Sequence, residues 1–140
     1  MKNKVFILII LILLFWIIIY NITKEKNVTM ICNLEVDLVQ SRSIQNYIFK
    51  GKNGEVRTED LSVKIYSDDN DLISEYKRII DDKSECSDIQ VSSDSISYHC
   101  FYDLVSEHQY YSDIEEDDGT LLFDKLKYEL EEDNYVCSYK

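Results

Sequence analysis

The chain has 140 residues and a formal net charge of −12, with 27 acidic and 15 basic side chains. Because residues 1–26 contribute +3, the segment 27–140 carries −15, and it is long enough for one domain with its own hydrophobic core. A surface of that charge repels phosphate backbones, which excludes nucleic-acid binding. Cations or basic partners fit its negative electrostatic field better.

A continuous run of apolar and aromatic side chains covers residues 5–20 and follows two lysines. A membrane-spanning helix needs roughly 17 to 25 residues, whereas the core of a cleavable signal peptide has about 7 to 15. The run contains no Ala, Gly or Ser, so signal peptidase finds no small residues before a cleavage point. We therefore predict an uncleaved signal-anchor helix over about residues 5–22. It lies within an N-terminal region, 1–26, that comprises a cytoplasmic cap, the transmembrane helix and a short linker.

Four cysteines follow this helix, and none of them belongs to a Cys-x-x-Cys pair: Cys32, Cys86, Cys100 and Cys137. An even number of dispersed cysteines predicts two disulfides in an oxidising compartment. The expected topology is a single-pass protein of the cell membrane, with its N-terminus in the cytoplasm and residues 27–140 as an acidic extracytoplasmic domain. The alternative is four reduced, buried cysteines on the cytoplasmic side.

The domain begins with three predicted strands. Apolar and polar side chains alternate over residues 30–38, which is the period of a half-buried strand. After a turn at 41–43, a second strand covers 44–49 and ends at the Gly-rich turn signal 51–54. A third strand follows over 56–66.

The next stretch changes to a helical period. Its apolar residues recur at positions i, i+1, i+4, i+7 and i+8, namely Leu72, Ile73, Tyr76, Ile79 and Ile80. The polar side chains of 68–71 supply an N-cap and negative charge for the positive end of the helix dipole. These signals together predict an amphipathic helix.

A second hairpin and a second helix complete the domain. Two strands, 89–91 and 96–104, flank a short turn of serines and aspartate. An acidic loop then leads to Thr120, the predicted N-cap of another amphipathic helix, and 135–139 forms a short last strand. The order β-β-β-α-β-β-α-β predicts an α+β fold, in which an antiparallel sheet carries two helices on one face.

Four cysteines allow three pairings, of which the nested one is favoured: Cys32 with Cys137, and Cys86 with Cys100. The first bridge ties the first strand to the last. The second closes a loop of about 15 residues, which is worth roughly 3 kcal/mol on the chain-entropy model. In an uninterrupted hairpin register, however, Ser87 rather than Cys86 lies opposite Cys100. We therefore expect Cys86 at a bend after the preceding helix.

Several features occur in a fixed order along the chain. A lysine cap and an apolar anchor precede the strand Met30-Ile31-Cys32-Asn33, and a cysteine follows the next helix. Tyr98-His99-Cys100 then lies in a hairpin, and a Leu/Lys/Glu helix runs into Glu131-Glu132-Asp133-Asn134-Tyr135-Val136-Cys137. This layout resembles the small membrane-tethered extracytoplasmic proteins of low-GC bacteria, similar in outline to the YehR-like lipoproteins, although it lacks a lipobox cysteine. The resemblance implies an α+β envelope protein of a family without a settled activity, so it provides no catalytic residues to carry over.

The acidic segment 113–119 is a candidate cation site. A calcium loop of the EF-hand type has oxygen ligands at positions 1, 3, 5 and 12, where this chain has Asp113, Glu115, Asp117 and Asp124. Its glycine falls at position 7 instead of 6, and position 12 is the shorter aspartate. The alternative is a solvated acidic loop, which is common in a chain of this charge.

Two other patterns suggest chemistry. Ser74-x-x-Lys77 matches a motif of penicillin-recognising enzymes, but it lies on the predicted helix without its partner motifs. His99, His108 and Cys100 are residue types that bind metals or act as nucleophile and base. Because adjacent residues of a strand point to opposite faces, His99 and Cys100 cannot act together. A chance match and a half-exposed histidine are the simpler interpretations.

No set of acid, base and nucleophile converges in the sequence. The leading hypothesis is therefore a non-catalytic, membrane-tethered binding or interaction module of the cell envelope, with an envelope protein or a basic molecule as its partner. The first alternative is a small envelope hydrolase whose site assembles only in the fold. The second is a calcium-binding envelope protein.

Overall fold

The computed structural model describes the backbone of residues 2–106 and 111–140 and the side chains of residues 9–106 and 111–140. These residues form three helices and one six-stranded antiparallel sheet, in the predicted α+β order. The helices are α1 (Lys2–Thr23), α2 (Asn70–Asp81) and α3 (Phe123–Glu132). The strands are β1 (Asn27–Asp37), β2 (Ser41–Lys52), β3 (Glu55–Ser67), β4 (Cys86–Val91), β5 (Ser95–Asp103) and β6 (Val136–Tyr139).

The helix α1 covers the segment predicted as an anchor. Its described apolar side chains are exposed, from Ile19 at 39% to Ile22 at 76%. Within the described residues, no helix combines the length and the hydropathy needed to cross a membrane. The linker to β1 is fixed to the β2–β3 turn, because the Lys26 amide donates to Oδ1 of Asn53 (3.0 Å) and the Asn53 amide donates to the Lys26 carbonyl (2.9 Å).

The strand order in the sheet is β4-β5-β3-β2-β1-β6, which makes β4 and β6 the two edges. Consecutive hairpins join β1, β2 and β3, and the chain then crosses through α2 to one edge and returns as β5 beside β3. After α3, the last strand pairs with β1 at the other edge. We call the end of the sheet where β1 follows α1 the proximal end, and the end where β3 passes into α2 the distal end. Eleven residues of β1 separate them by about 36 Å.

The two turns of the β1–β2–β3 meander differ in how well the sequence predicts them. Asn53 (φ 55°) and Gly54 (φ 87°) both adopt the left-handed conformation that a two-residue hairpin turn requires, as predicted. The turn predicted at 41–43 is wrong, since Ser41 already belongs to β2 and pairs with Ser67 of β3. The turn therefore falls at 38–40, because pairing with β3 extends the polar start of β2 as a strand.

The two domain helices cover the same face of the sheet, as predicted. Ile73 of α2 packs against Val63, Ile65 and Ile96 on that face. α2 begins at the N-cap Asp69, whose carboxylate accepts hydrogen bonds from the backbone amides two and three residues on, at 2.9 and 3.3 Å. A single apolar stripe and a strong cap thus position this helix.

The core under α3 is larger. Phe123 and Leu126 of this helix pack with Met30 of β1 and Phe49 of β2, and all four side chains are at most 2% exposed. Phe49 lies within ring-contact distance of Tyr111, which follows the undescribed residues 107–110 (centroids 6.4 Å apart). Tyr111 therefore also packs on the helix-covered face.

The predicted N-cap at Thr120 is wrong. α3 begins three residues later, after Leu122, which makes no capping hydrogen bond through its side chain. The reason is that the preceding segment is extended along the start of β3. The Val56 amide donates to the Leu121 carbonyl (2.8 Å), and the Leu121 side chain is only 3% exposed. The start of the helix is therefore decided by the burial of Leu121 and by its backbone pairing with Val56, and not by a polar capping side chain.

Both predicted disulfides are present, Cys32–Cys137 and Cys86–Cys100. The first joins directly opposed residues of β1 and β6, and the second joins directly opposed residues of β4 and β5. Each edge strand is therefore bonded covalently to its neighbour. Two disulfides indicate an oxidising environment.

The prediction of a bend at Cys86 is wrong. An irregularity within β4 changes the register, so that Cys86 pairs with Cys100. A bulge lies between Ser87 and Gln90, and Asp88 within it adopts a left-handed conformation (φ 54°). The inserted residue shifts the pairing by one position. Cys86 consequently lies opposite Cys100, although Ser87 would do so in a regular hairpin.

Candidate functional site

The structure brings together three of the four predicted calcium ligands. A surface depression of about 420 Å³ is lined by Asp113, Glu115 and Asp124, together with Lys125. Asp117 is not among the residues that line it. The carboxylate of Asp124 accepts a hydrogen bond from the Tyr139 hydroxyl (2.8 Å), which raises the pKa of that phenol, already raised by burial, to about 12.

Within the described residues, no group of three or more His, Cys, Asp or Glu side chains is arranged to hold a metal ion. The acidic loop is instead compensated from within the protein. Lys125 forms an ion pair with Glu116 (2.7 Å), and the carboxylate of Asp118 accepts a hydrogen bond from the Thr120 amide (3.0 Å). Calcium binding at Asp113, Glu115, Asp117 and Asp124 stays a prediction.

The Ser74-x-x-Lys77 match has an ordinary structural role. The Ser74 hydroxyl donates to the backbone carbonyl one helical turn earlier (2.8 Å), and Lys77 forms an ion pair with Asp81. Both contacts lie within the exposed side of α2. The two side chains therefore serve the helix to which they belong.

His99 lies on the helix-free face of the sheet, and its ring is hydrogen-bonded to the carboxylate of Asp60. Ser62 is directly opposite His99 in the β3–β5 register. Cys100 points to the other face and is bridged, and His108 lies outside the described residues. The fold thus assembles an Asp–His–Ser set that the sequence did not reveal, beside a shallow depression of about 310 Å³.

A buried carboxyl lies on the helix-covered face of the sheet. Glu59 is 5% exposed and occupies a position between Phe49 and Tyr102 in the cross-strand register. The hydroxyl of Tyr111 donates a hydrogen bond to its Oε2 at 2.6 Å. Desolvation by burial raises the pKa of Glu59 to about 7, and the hydrogen bond from Tyr111 opposes this rise.

The distal end of the sheet carries an acidic depression of about 700 Å³. It is lined by Asp68, Asp69 and Asp71 at the start of α2, and by Val39 and a neighbouring glutamine in the β1–β2 turn. Within the described residues, none of these three carboxylates forms an ion pair. Val39 is fully exposed, so an apolar side chain stands beside the carboxylates.

The proximal end carries a basic groove of about 380 Å³. Its cations are Lys50 and Lys52 at the end of β2 and Arg57 of β3, and no carboxylate belongs to its lining. Lys52 is paired with Glu25, which lowers the pKa of that carboxyl. The two ends of the β1–β2–β3 meander therefore carry depressions of opposite charge, a basic one toward α1 and an acidic one away from it.

Sequence reasoning missed both the basic groove and Glu59. A signal for the groove exists, since Lys50, Lys52 and Arg57 fall within eight residues of a strongly acidic chain. A signal for Glu59 exists as well, because it shares the period of two with Leu61 and Val63 and so falls on the apolar face. No protein-family model, curated protein or solved structure matches this chain.

Proposed function

We propose that the protein is a non-catalytic binding module of the cell envelope. In this proposal α1 is a single-pass membrane anchor, the domain of residues 27–140 faces the extracytoplasmic space, and its acidic depression receives a basic segment of a partner protein. The observation that carries the proposal is the position of this depression at the distal end of the sheet. It directs the carboxylates of Asp68, Asp69 and Asp71 away from the end that follows α1.

The anchor is supported by composition and exposure. α1 is a helix of 22 residues, and its apolar run contains no charged side chain after Lys4 until Lys24. Side chains such as Phe15 and Trp16 are 62% and 67% exposed, which a lipid environment would cover. The disulfides, with their need for an oxidising compartment, support the extracytoplasmic side for the domain.

The acidic depression is supported by the chemistry of its lining. Asp69 is engaged as the N-cap of α2, whereas Asp68 and Asp71 have no ion pair with a described residue. Val39, and Leu38 at 64% exposure, add apolar surface at the rim. Carboxylates beside exposed apolar groups suit a peptide segment that carries lysine or arginine among apolar residues.

Binding is tested with the full chain in lipid nanodiscs and a fluorescent, lysine-rich peptide as the probe. We expect the double variant Asp68→Asn/Asp71→Asn to weaken peptide binding about tenfold at low salt. The matched control, Asp117→Asn/Glu129→Gln, removes the same charge from another surface and should leave binding unchanged. An equal loss in both variants would show that net charge alone attracts the peptide, and the site would be rejected.

The anchor is tested separately by its topology. Alkaline extraction of native membranes should leave the full chain in the pellet, and alkylation of intact cells should find no free thiol among the four cysteines. Release of the chain by alkali would contradict the anchor. Four reactive thiols would contradict the extracytoplasmic side.

A hydrolase is the second candidate, because the fold brings Asp60, His99 and Ser62 to one face. Two features favour the binding module over it. No hydrogen bond joins the Ser62 hydroxyl to the His99 ring within the described residues. The set also lies on strands whose backbone amides pair within the sheet, which leaves no adjacent pair of amides to stabilise an oxyanion.

The hydrolase is tested with a fluorophosphonate probe, which labels activated serines. We expect no labelling of Ser62 in the folded chain. Labelling that disappears in the His99→Ala variant and persists in a Ser97→Ala control would establish the hydrolase instead.

A further inference from the structure

We propose that the basic groove at the proximal end binds the phosphate of an anionic phospholipid headgroup in the membrane that holds α1. This inference rests on the proposed anchoring of α1, and it adds a second, lipid-specific contact between the domain and the bilayer. The contact would fix the orientation of the sheet, and so the direction in which the acidic depression points.

The charge of the groove sets it apart from the rest of the domain. Three of its lining residues are cationic, in a segment whose net charge is −15. Lys52 is paired with Glu25 and Arg57 with Glu55 (3.3 Å), whereas Lys50 forms no ion pair with a described carboxylate. Even with both rim carboxylates counted, the groove keeps a net positive charge. Phosphate oxygens accept charge-assisted hydrogen bonds from such lysines and arginines.

A strand irregularity brings the three cations together. The β2–β3 register shifts between Lys50 and Gly51, so that Lys50 pairs with Thr58 while Gly51 pairs with Val56. Arg57 is the extra residue of this bulge, and it lines the same groove as Lys50. In a regular ladder, the side chain of Arg57 would alternate with that of Thr58 and point to the other face. Bulges redirect side chains in this way.

The groove lies close to the end of α1. Asn27, the first residue of β1, pairs with Lys52, and only three residues separate it from the last residue of α1. Four residue steps span at most about 14 Å. Two hydrogen bonds hold Lys26 against Asn53, and Glu25 pairs with Lys52, so the linker follows the groove closely. If α1 spans the bilayer, the groove therefore lies at the level of the lipid headgroups.

The basic residues of the linker extend the same surface. Lys24 and Lys26 lie just before Asn27, the first residue of the groove. The groove and the linker thus present five cations near the end of α1, whereas Asp68, Asp69 and Asp71 lie at the opposite end of the sheet. An anionic bilayer surface attracts the first group and repels the second.

The test measures lysine acylation by mass spectrometry on the full chain in nanodiscs. One set of discs contains phosphatidylcholine alone, and the other also contains phosphatidylglycerol. We expect acylation of Lys50 and Lys52 to be about fivefold slower with phosphatidylglycerol, the effect of one cation–headgroup contact. Lys77 and Lys83, far from the groove in sequence, are internal controls whose rates should not change. Equal rates in the two lipids would overturn the proposal.

A further arm distinguishes the source of the phosphate. Inorganic phosphate is added to the phosphatidylcholine discs, and we expect it to leave the acylation of Lys50 unchanged. Protection of Lys50 by inorganic phosphate to the same extent as by phosphatidylglycerol would show a site for a soluble anion and would overturn the lipid proposal.

Two variants test whether the groove itself is responsible. Arg57→Gln should abolish the lipid-dependent protection of Lys50, while Arg78→Gln on α2, a charge-matched control, should preserve it. Lys52→Gln provides a second variant with the same readout, in case Arg57→Gln disturbs the bulge. Protection that survives both groove variants would overturn the proposal. If gel filtration shows that the chain does not enter the discs, the proposed anchoring of α1 is refuted. If the chain enters the discs but its acylation does not depend on the lipid, only the proposed headgroup site in the groove is refuted.

Discussion

The hydroxyl of Tyr111 donates a 2.6 Å hydrogen bond to Oε2 of Glu59, the one buried acidic side chain among the described residues. This contact joins the β5–α3 connection to the centre of the sheet. Burial raises the pKa of the Glu59 carboxyl from 4.5 to about 7. The stability of the domain should therefore depend on pH near neutrality.

The first prediction concerns that dependence. Between pH 4.5 and 7 the folded state retains the Glu59 proton and the unfolded chain has lost it, so the free energy of unfolding falls as pH rises through this window. The loss is about 3 kcal/mol and is complete above pH 7. The glutamine of the Glu59→Gln variant is neutral throughout this range, so the variant should not show this loss of stability. Urea unfolding of the full chain in detergent, at pH 5 and pH 8, measures the difference.

The exposed Glu129 provides the control for this prediction. Glu129→Gln should keep the pH dependence of the wild type, whereas Tyr111→Phe should steepen it, because the ionised carboxylate of Glu59 loses its donor. A Glu59→Gln variant that loses as much stability as the wild type between the two pH values would contradict the assignment.

The second prediction concerns the relative strength of the two disulfides. Cys32–Cys137 closes a separation of 105 residues and Cys86–Cys100 one of 14. On the chain-entropy model these loops are worth about 4.7 and 3 kcal/mol. Replacing the first pair by serines should therefore lower the free energy of unfolding by about 1.7 kcal/mol more than replacing the second. Urea unfolding of both double variants checks the order, and a reversed order would contradict it.

The third prediction concerns two glycines of the β2–β3 hairpin. A Cβ at Gly51 would lie 1.8 Å from the Glu55 carbonyl oxygen, which is backbone and cannot turn aside. Gly51→Ala should cost about 3 kcal/mol. A Cβ at Gly54 meets no atom within 4 Å, so Gly54→Ala should cost only about 1 kcal/mol, for its left-handed φ of 87°. Equal denaturation midpoints of the two variants would show that the strands can separate at the bulge.

The fourth prediction concerns the start of α2. Asp69→Ala removes the acceptor of two backbone amides and should cost about 1 kcal/mol, whereas Asp69→Asn should retain most of the cap. Hydrogen exchange at the amides of Asp71 and Leu72 reports the change locally. Asp68→Ala, one residue earlier and outside the cap, is the matched control and should leave these amides protected.

The sequence predicts the elements and the pairing of the cysteines well, for a physical reason. Alternation and helical spacing are local consequences of which side of an element meets the core, so α2 and the first three strands are evident before any contact is known. The nested disulfides follow from the order of these elements. The core positions of Ile73 and Met30 belong to the same pattern.

Features that depend on register are not predictable in this way. The bulge at Asp88 and the extra residue Arg57 each shift a ladder by one position, and only the pairing with a distant strand decides where this happens. The start of α3 depends likewise on Leu121, which pairs with β3 some 65 residues earlier in the chain. Both candidate surfaces arise from such long-range pairing, because the proximal and distal ends exist only once the sheet has formed.

The Cys32–Cys137 bridge has a mechanical consequence. If α1 is held in a bilayer and force is applied at Lys140, tension enters at Asn27 and crosses the disulfide directly from β1 to β6. The 104 residues between the two cysteines then carry none of that load. Reduction of that bond would allow the segment between the two cysteines to extend by roughly 370 Å. In its oxidised form the domain behaves as a short, inextensible link.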